Sequence, residues 1–116
     1  MKNNNLLPLK SKDAFKSLFK EGEFYKEKNI CVRYHKGKED IFNVGYTVSK
    51  KLFSRAVDRN LIKRRIRSEV YNLSLLFIDK CVPGFYLFFY VGKHIPTSSD
   101  LSSNLLNLIN KINKET

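Results

Sequence analysis

The sequence predicts a single-domain α+β fold, an α-β-β-β-α-β-α sandwich, from three observations. Residues 41–49 alternate between apolar and small polar side chains, which is typical of a strand with one buried face. Residues 85–91 form a nearly continuous apolar run, which indicates a central strand buried on both faces. Residues 54–73 and 101–114 place apolar side chains at helical spacing, which favours helices packed on such a sheet.

The first predicted helix covers residues 12–20, with Ser11 as its N-cap. Phe15, Leu18 and Phe19 lie on one face of this helix. We assign Leu18 to the core. The two phenylalanines have two interpretations, either core residues or flat apolar surfaces on which unpaired bases stack.

Three strands are expected after this helix. A short edge strand begins at Phe24 and Tyr25, and a second strand covers residues 29–35. Residues 36–40 indicate a turn, so the strand over 41–49 should run antiparallel to the one before it. Its even-numbered apolar side chains are expected in the core, and its odd-numbered polar ones form a surface on which another molecule could lie.

The end of the chain supplies the last strand and helix. Residues 79–84 and 92–99 are expected to be loops on either side of the strand over 85–91. The closing helix over 101–114 has an apolar face that should join the core, formed by Leu101, Leu105, Leu108, Ile109 and Ile112.

The helix over residues 54–73 carries a dense cluster of positive charge. Ser54 is its expected N-cap, and Asp58 lies in the first turn, where a carboxylate complements the helix dipole. Its side chains suited to nucleic-acid contact are Arg55, Arg59, Asn60, Lys63, Arg64, Arg65 and Arg67. At about 100° per residue, the members that share one quadrant are Asn60, Lys63, Arg64 and Arg67. A neighbouring apolar ridge consists of Ile62, Ile66, Val70 and Leu73.

The balance of charge indicates a polyanionic partner. The chain has 22 Lys and Arg residues against 11 Asp and Glu residues, a net charge of +11 on 116 residues. A solvated helix face would interleave acids with its bases, whereas the like charges of this helix repel one another unless a polyanion neutralises them. Nucleic acid is the first expectation and an anionic membrane surface the second.

Length and composition indicate one domain over residues 1–116, with residues 1–7 expected to be disordered. The sequence contains no apolar run long enough to span a bilayer and no signal-peptide pattern, so we expect a cytoplasmic protein without membrane contact. Cys31 and Cys81 lack the spacing of metal ligands and are expected to be reduced and buried.

The residues provide little for a catalytic site in the protein itself. His35 and His94 are the only histidines, and no serine, aspartate or cysteine pattern forms a triad with either. The acidic residues lie mostly in predicted turns and at helix ends, and no glycine-rich phosphate loop is present. We therefore expect no catalytic or metal-binding residue.

One stretch of the chain resembles a known family. Residues 43–51 (NVGYTVSKK), followed by Ala56, Arg59-Asn60, Lys63-Arg64 and Arg67, are similar to the signature of the bacterial ribonuclease P protein subunit. The order of the other elements agrees over about residues 8–113. The resemblance implies a fold like domain 2 of ribosomal protein S5, with a left-handed βαβ crossover in place of the usual right-handed one.

The resemblance also implies a function. The protein would join a large catalytic RNA, which with Mg²⁺ removes the 5′ leader from precursor tRNA, and Mg²⁺ would be bound mainly by the RNA. No protein partner is expected. The residues that would face the catalytic RNA are Arg55, Arg59, Asn60, Lys63, Arg64 and Arg67. The residues that would hold the single-stranded leader are Phe15, Phe19, Tyr34, Ser49, Lys50, Lys51 and Lys93.

Two positions depart from the family pattern. Leu61 stands where a basic residue usually follows Arg-Asn, and Gly92 stands where a basic residue commonly precedes Lys93. Two other functions stay open: a non-catalytic, ribosome-associated RNA-binding protein with the same S5-like fold, and an autonomous nuclease. Stimulation of precursor-tRNA cleavage separates the first from the family function, and activity without any RNA subunit would support the second.

Overall fold

A computed structural model of the protein describes residues 6–10, 12–37 and 39–115, with side chains to residue 113. The elements are β1 (Leu6–Pro8), α1 (Lys12–Glu21), β2 (Glu23–Glu27), β3 (Ile30–Lys36), β4 (Phe42–Val48), α2 (Ala56–Asn72), α3 (Ser74–Lys80), β5 (Gly84–Tyr90) and α4 (Ser98–Glu115). The predicted α-β-β-β-α-β-α order is confirmed within this series. The two short elements β1 and α3 were not predicted.

The strands form one five-stranded sheet in the order β1-β4-β5-β3-β2. The apolar strand β5 lies at its centre, as predicted, with β3 antiparallel and β4 parallel to it. The turn expected over residues 36–40 does not make a hairpin. The strands β3 and β4 run in opposite directions, but β5 lies between them. This central position is consistent with the apolar side chains that β5 carries on both faces of the sheet.

One face of the sheet packs against α2, α3 and α4 and forms the main core. The predicted apolar ridge of α2 is buried there through Ile62, Ile66 and Val70, while Leu73 is half-buried. The predicted core face of α4 is also confirmed, since Leu101, Leu105, Leu108, Ile109 and Ile112 are fully buried. Because three helices cover this face, the even-numbered residues of β4 point into it, and Phe42, Val44 and Val48 are buried.

The other face of the sheet is covered only in part, by α1. A small second core joins Leu9, Ala14 and Leu18 to Leu87 of β5. Leu18 is fully buried, as predicted, and Phe15 packs at the edge of this cluster. The uncovered part of this face is therefore available for another molecule.

The N-terminal segment corrects one prediction. We expected residues 1–7 to be disordered, but Leu6 and Leu7 belong to β1, which pairs in parallel with β4. The Leu9 amide continues the pairing by donating to the Val44 carbonyl at 3.1 Å. The burial of Leu9 anchors this segment to the sheet. Residues 1–5 and the expected N-cap Ser11 lie outside the described residues.

The start of α2 and the segment after it differ from the prediction. The N-cap of α2 is Arg55, in an extended conformation (φ −84°, ψ 127°), and Ser54 lies one residue earlier. Asp58 lies in the first turn, as predicted. The chain breaks its helical path at Leu73 and continues as α3 to Lys80, where a loop was expected from residue 79.

Candidate nucleic-acid interface

The exposed face of α2 is the first part of the candidate interface. Its side chains at Arg55, Asn60, Arg64 and Arg67 are exposed, and Lys63 is half-buried. The buried ridge of Ile62, Ile66 and Val70 fixes the helix on the sheet, and this orientation turns the basic quadrant outward. Within the described part of the chain, the only close pairs of basic and acidic side chains are His35–Glu21 and Lys111–Glu27, so no carboxylate there is paired with a basic side chain of α2.

Two basic side chains of α2 are used inside the fold. Arg59 is half-buried, and its Nη1 donates hydrogen bonds to the carbonyls of Phe53 and Ser54. Arg65 Nη1 donates to the Pro96 carbonyl at 2.7 Å and ties α2 to the segment before α4. Arg59 was predicted to face RNA. The structure gives it these two hydrogen bonds to the segment before α2, and a contact with RNA stays a prediction.

The uncovered sheet face beside α1 is the second part. Phe15 and Phe19 lie four residues apart on α1, and Phe19 is 60% exposed. The Arg33 guanidinium carbon lies 5.3 Å from the Phe19 ring centroid and 5.6 Å from that of Phe24. Phe24 in turn contacts Phe89, with 5.9 Å between ring centroids. Cations at such distances are attracted to ring faces, so these side chains form one aromatic platform with a positive charge inside it.

Tyr34 does not belong to this platform, which corrects the prediction. It is 5% exposed and packs in the main core, on the sheet face opposite to α1. Its ring stacks on Tyr86 with 4.7 Å between centroids, and burial raises the pKa of its hydroxyl. Because side chains alternate along a strand, Arg33 and not Tyr34 faces α1.

The sequence interpretation therefore missed Arg33, Phe24 and Phe89. The alternation of β3 contains the necessary signal, since it groups Arg33 with Cys31 and His35 on the odd-numbered side. The position of Phe24 and Phe89 beside Arg33 depends on the pairing of three strands, which the sequence did not reveal.

The predicted lysine contacts lie at one end of the sheet. Ser49, Lys50 and Lys51 follow β4 and are exposed, and the Ser49 hydroxyl accepts a hydrogen bond from the Lys51 amide at 3.1 Å. Lys93 is exposed in the loop after β5. Because β4 and β5 are parallel and Val48 pairs with Tyr90, both loops begin at the same end of the two strands. The exposed lysines of these loops thus add positive charge at one end of the uncovered face.

The described residues provide no group of three or more His, Cys, Asp or Glu side chains that could hold a metal ion. His35 Nε2 lies 3.7 Å from Glu21 Oε1, at the C-terminal end of α1, and His94 is exposed in a loop. The two cysteines are free and buried, and burial raises the pKa of Cys81 to about 12. No described helix is long and apolar enough to cross a membrane.

Comparison with known proteins gives a consistent result. The family model described as Ribonuclease P matches residues 3–113. The ribonuclease P protein component of Clostridioides difficile (strain 630) is 30% identical over 110 residues, which cover 93% of each chain. The fold resembles the ribonuclease P proteins of Staphylococcus aureus, with a TM-score of 0.73 and 23% identity over 92% of this chain and 95% of the other. It also resembles that of Thermotoga maritima, with a TM-score of 0.75 and 22% identity over 90% and 96%.

Proposed function

The chain belongs to the ribonuclease P protein family, and we propose that its two interfaces hold two different RNAs during the removal of the 5′ leader from precursor tRNA. As the protein component of ribonuclease P, it is a subunit of an endoribonuclease ribonucleoprotein and associates with the ribonuclease P RNA. The proposal concerns the substrate, the residues that contact each RNA and the metal.

The observation that supports this division is the placement of the two surfaces on opposite sides of the sheet. The α2 face is rich in arginine and follows a convex helix, which suits the phosphate backbone of a folded RNA. The platform of Phe19, Phe24, Phe89 and Arg33 combines flat rings with a cation. Rings stack on any base, at about 1–3 kcal/mol per base, so this surface suits a leader of variable sequence.

The assignments follow from exposure. We assign the ribonuclease P RNA to Arg55, Asn60, Lys63, Arg64 and Arg67, with Arg59 in a supporting position. We assign the leader to Phe15, Phe19, Ser49, Lys50 and Lys51, and Lys93 extends this edge. Arg33 and Phe24 take the place that was expected for Tyr34.

Mg²⁺ keeps several of its water ligands and binds through phosphate oxygens and one or two carboxylates, so the phosphates of an RNA suit it well. We propose that the RNA binds Mg²⁺ and that the protein supplies positive charge. Basic side chains between two RNA strands reduce the repulsion that Mg²⁺ otherwise has to screen. The work of the protein is then to bind and position RNA in the cytoplasm, where tRNA is processed.

The decisive experiment measures cleavage of a precursor tRNA by a bacterial ribonuclease P RNA at low Mg²⁺, with and without the protein. We expect the protein to restore cleavage at the mature 5′ end. Binding of both RNAs without any change in cleavage would favour the ribosome-associated RNA-binding protein. Cleavage by the protein in the absence of the RNA subunit would favour an autonomous nuclease.

A further inference from the structure

A groove between β1 and α2 adjoins the basic face of α2, and its two tyrosines have no role in the interfaces described so far. It is open to solvent and has a volume of about 480 Å³, within the range of about 300–1,000 Å³ that is typical of sites for small molecules. Its lining residues are Leu6, Tyr46, Arg64, Arg67, Ser68 and Tyr71. A second cavity, about 310 Å³ in volume, continues around β1 and shares Leu6, Tyr46 and Arg67 with the first.

The groove has an aromatic side chain on each wall. Tyr46 belongs to the even-numbered residues of β4 and was expected in the core, but it is only half-buried. Its inner ring face stacks on Phe88, with 6.2 Å between centroids and an interplanar angle of 17°. Tyr71 projects from α2 and is 60% exposed. A tyrosine this exposed contributes little to the core, so its ring is available to a ligand.

The wall formed by α2 also supplies positive charge. Arg64, Arg67, Ser68 and Tyr71 follow one another at intervals of three, one and three residues, which places them on one face of α2. Both arginines are exposed, and neither forms an ion pair with a carboxylate of the described residues. Burial raises the pKa of Tyr46 to about 12, and the nearby charge of Arg67 opposes this shift. The arginine charge therefore reaches into the groove.

We propose that this groove receives an unstacked base of the ribonuclease P RNA, stacked on Tyr71 and bordered by Tyr46, with Arg64 and Arg67 on the phosphates that flank it. The proposal rests on the proposed function, which supplies the RNA. A site that bound only phosphates would need the two arginines but no cavity lined by aromatic rings beside them. Proteins recognise single-stranded bulges and loops by placing splayed bases on aromatic rings, and this groove combines the two kinds of side chain that such recognition uses.

The test separates stacking from charge by measuring affinity for the ribonuclease P RNA over a range of salt concentrations. The Tyr71→Ala variant should bind about five- to a hundredfold more weakly at every salt concentration, with an unchanged slope of log K against log salt. Tyr71→Phe keeps the ring and should restore most of the affinity. Arg67→Ala should lower the slope by about one.

A matched control is Leu75→Ala on α3. Leu75 is 62% exposed, nearly the same as Tyr71, and lines a different cavity with Leu76, Ile78 and Asp79. The Leu75→Ala variant should leave both the affinity for the ribonuclease P RNA and the slope of log K against log salt unchanged. Far-UV circular dichroism of each variant confirms that the fold is retained, which the exposure of both side chains leads us to expect.

A second readout is the reactivity of RNA bases towards dimethyl sulfate. One single-stranded nucleotide should change in reactivity with the wild-type protein and not with Tyr71→Ala. Unchanged affinity of Tyr71→Ala, or an equal loss in Tyr71→Phe, would overturn the proposal while the proposed function stands. If the wild-type protein itself fails to bind the ribonuclease P RNA, the proposed function fails first.

Discussion

Arg59 Nη1 donates hydrogen bonds to the carbonyl oxygen of Phe53 at 2.8 Å and to that of Ser54 at 2.9 Å. Both carbonyls belong to the segment that leads from β4 into α2, ahead of the helix that carries Arg59. This segment begins with Lys50 and Lys51, which we assign to the leader. Arg59 therefore ties the segment that follows the lysines to the first turn of the basic helix α2.

We expect Arg59→Ala to lower the free energy of unfolding by about 1–3 kcal/mol, because two charge-assisted hydrogen bonds are lost and two carbonyls lose their partner. Urea denaturation followed by circular dichroism measures this change. Arg64→Ala is the control, since Arg64 is exposed and makes no such bond, and its effect should stay within about 0.5 kcal/mol. Equal stability of the two variants would show that the Arg59 bonds contribute nothing.

Arg64→Ala should instead weaken binding to the ribonuclease P RNA. Each lost phosphate contact lowers the slope of log K against log salt by about one. Titrations at several salt concentrations give this slope directly. Lys12→Ala is a suitable control, because Lys12 is exposed at the start of α1, outside both interfaces. A slope for Arg64→Ala that equals the wild-type value would remove this residue from the RNA interface.

The longer elements could be predicted from the sequence because their periodicity extends over many residues. The ridge of α2 and the apolar face of α4 each repeat over several turns, and both are buried as expected. The strand β1 and the helix α3 have three and seven residues, which are too few to show a clear hydrophobic periodicity. Their formation depends on partners elsewhere in the chain, as in the pairing of Leu6 with Phe42.

Phe19→Ala should selectively weaken binding of precursor tRNA with a long leader. Phe19 is largely exposed, so its removal costs little stability beyond the contact with Arg33, about 0.5–1 kcal/mol. Loss of one stacked base should reduce affinity for the leader-bearing substrate by about five- to a hundredfold. The measurement compares binding of the assembled holoenzyme to substrates with and without a leader.

Leu18→Ala provides the contrast for this prediction. Leu18 is fully buried beside Leu87, and its truncation should cost about 2–5 kcal/mol of stability. Core damage of this kind should affect both substrates equally. If Phe19→Ala also weakens the leaderless substrate to the same extent, Phe19 acts through the fold and not through the leader.

The incorrect placement of Tyr34 in the leader cleft shows which part of the candidate site could be predicted from the sequence. The alternation of β3 groups Tyr34 with Ile30 and Val32, and all three are buried together. The family resemblance placed Tyr34 in the leader cleft, against that alternation. The local period of the strand was the better guide, and it assigns Arg33 to the cleft. The role of Arg59 lay beyond prediction, because it depends on the path of the backbone before α2.

Ionisation of Cys81 should make stability depend on pH in alkaline solution. Burial raises the pKa of this thiol from 9.0 to about 12 in the folded protein. The folded state therefore keeps the proton where the unfolded state loses it. The contribution is fully present below pH 9 and disappears as the pH rises from about 9 to 12.

The test compares the wild-type protein with Cys81→Ala by urea denaturation at pH 7.5–10.5, a range of about three units around the unfolded pKa. The difference in stability between the two should become smaller as the pH rises above 9, because only the wild type has this thiol. A constant difference over the whole range would mean that the folded thiol ionises normally. Iodoacetamide should also react slowly with Cys81 until the protein unfolds.

Gly92 is required by the ring of Tyr90, which explains why a basic residue is missing before Lys93. A Cβ at position 92 would overlap the Tyr90 hydroxyl and ring. The ring cannot move away without a large energetic cost, because it is buried and its hydroxyl donates a hydrogen bond to the His94 carbonyl at 2.8 Å.

Gly92→Lys would give the chain the basic residue common in the family, yet we expect this substitution to lower the free energy of unfolding by about 1–3 kcal/mol. Lys93→Ala, at an exposed neighbour, should change it by less than about 0.5 kcal/mol. If Gly92→Lys proves as stable as the wild type and binds the leader more tightly, the loop has room for the longer side chain and the packing argument fails.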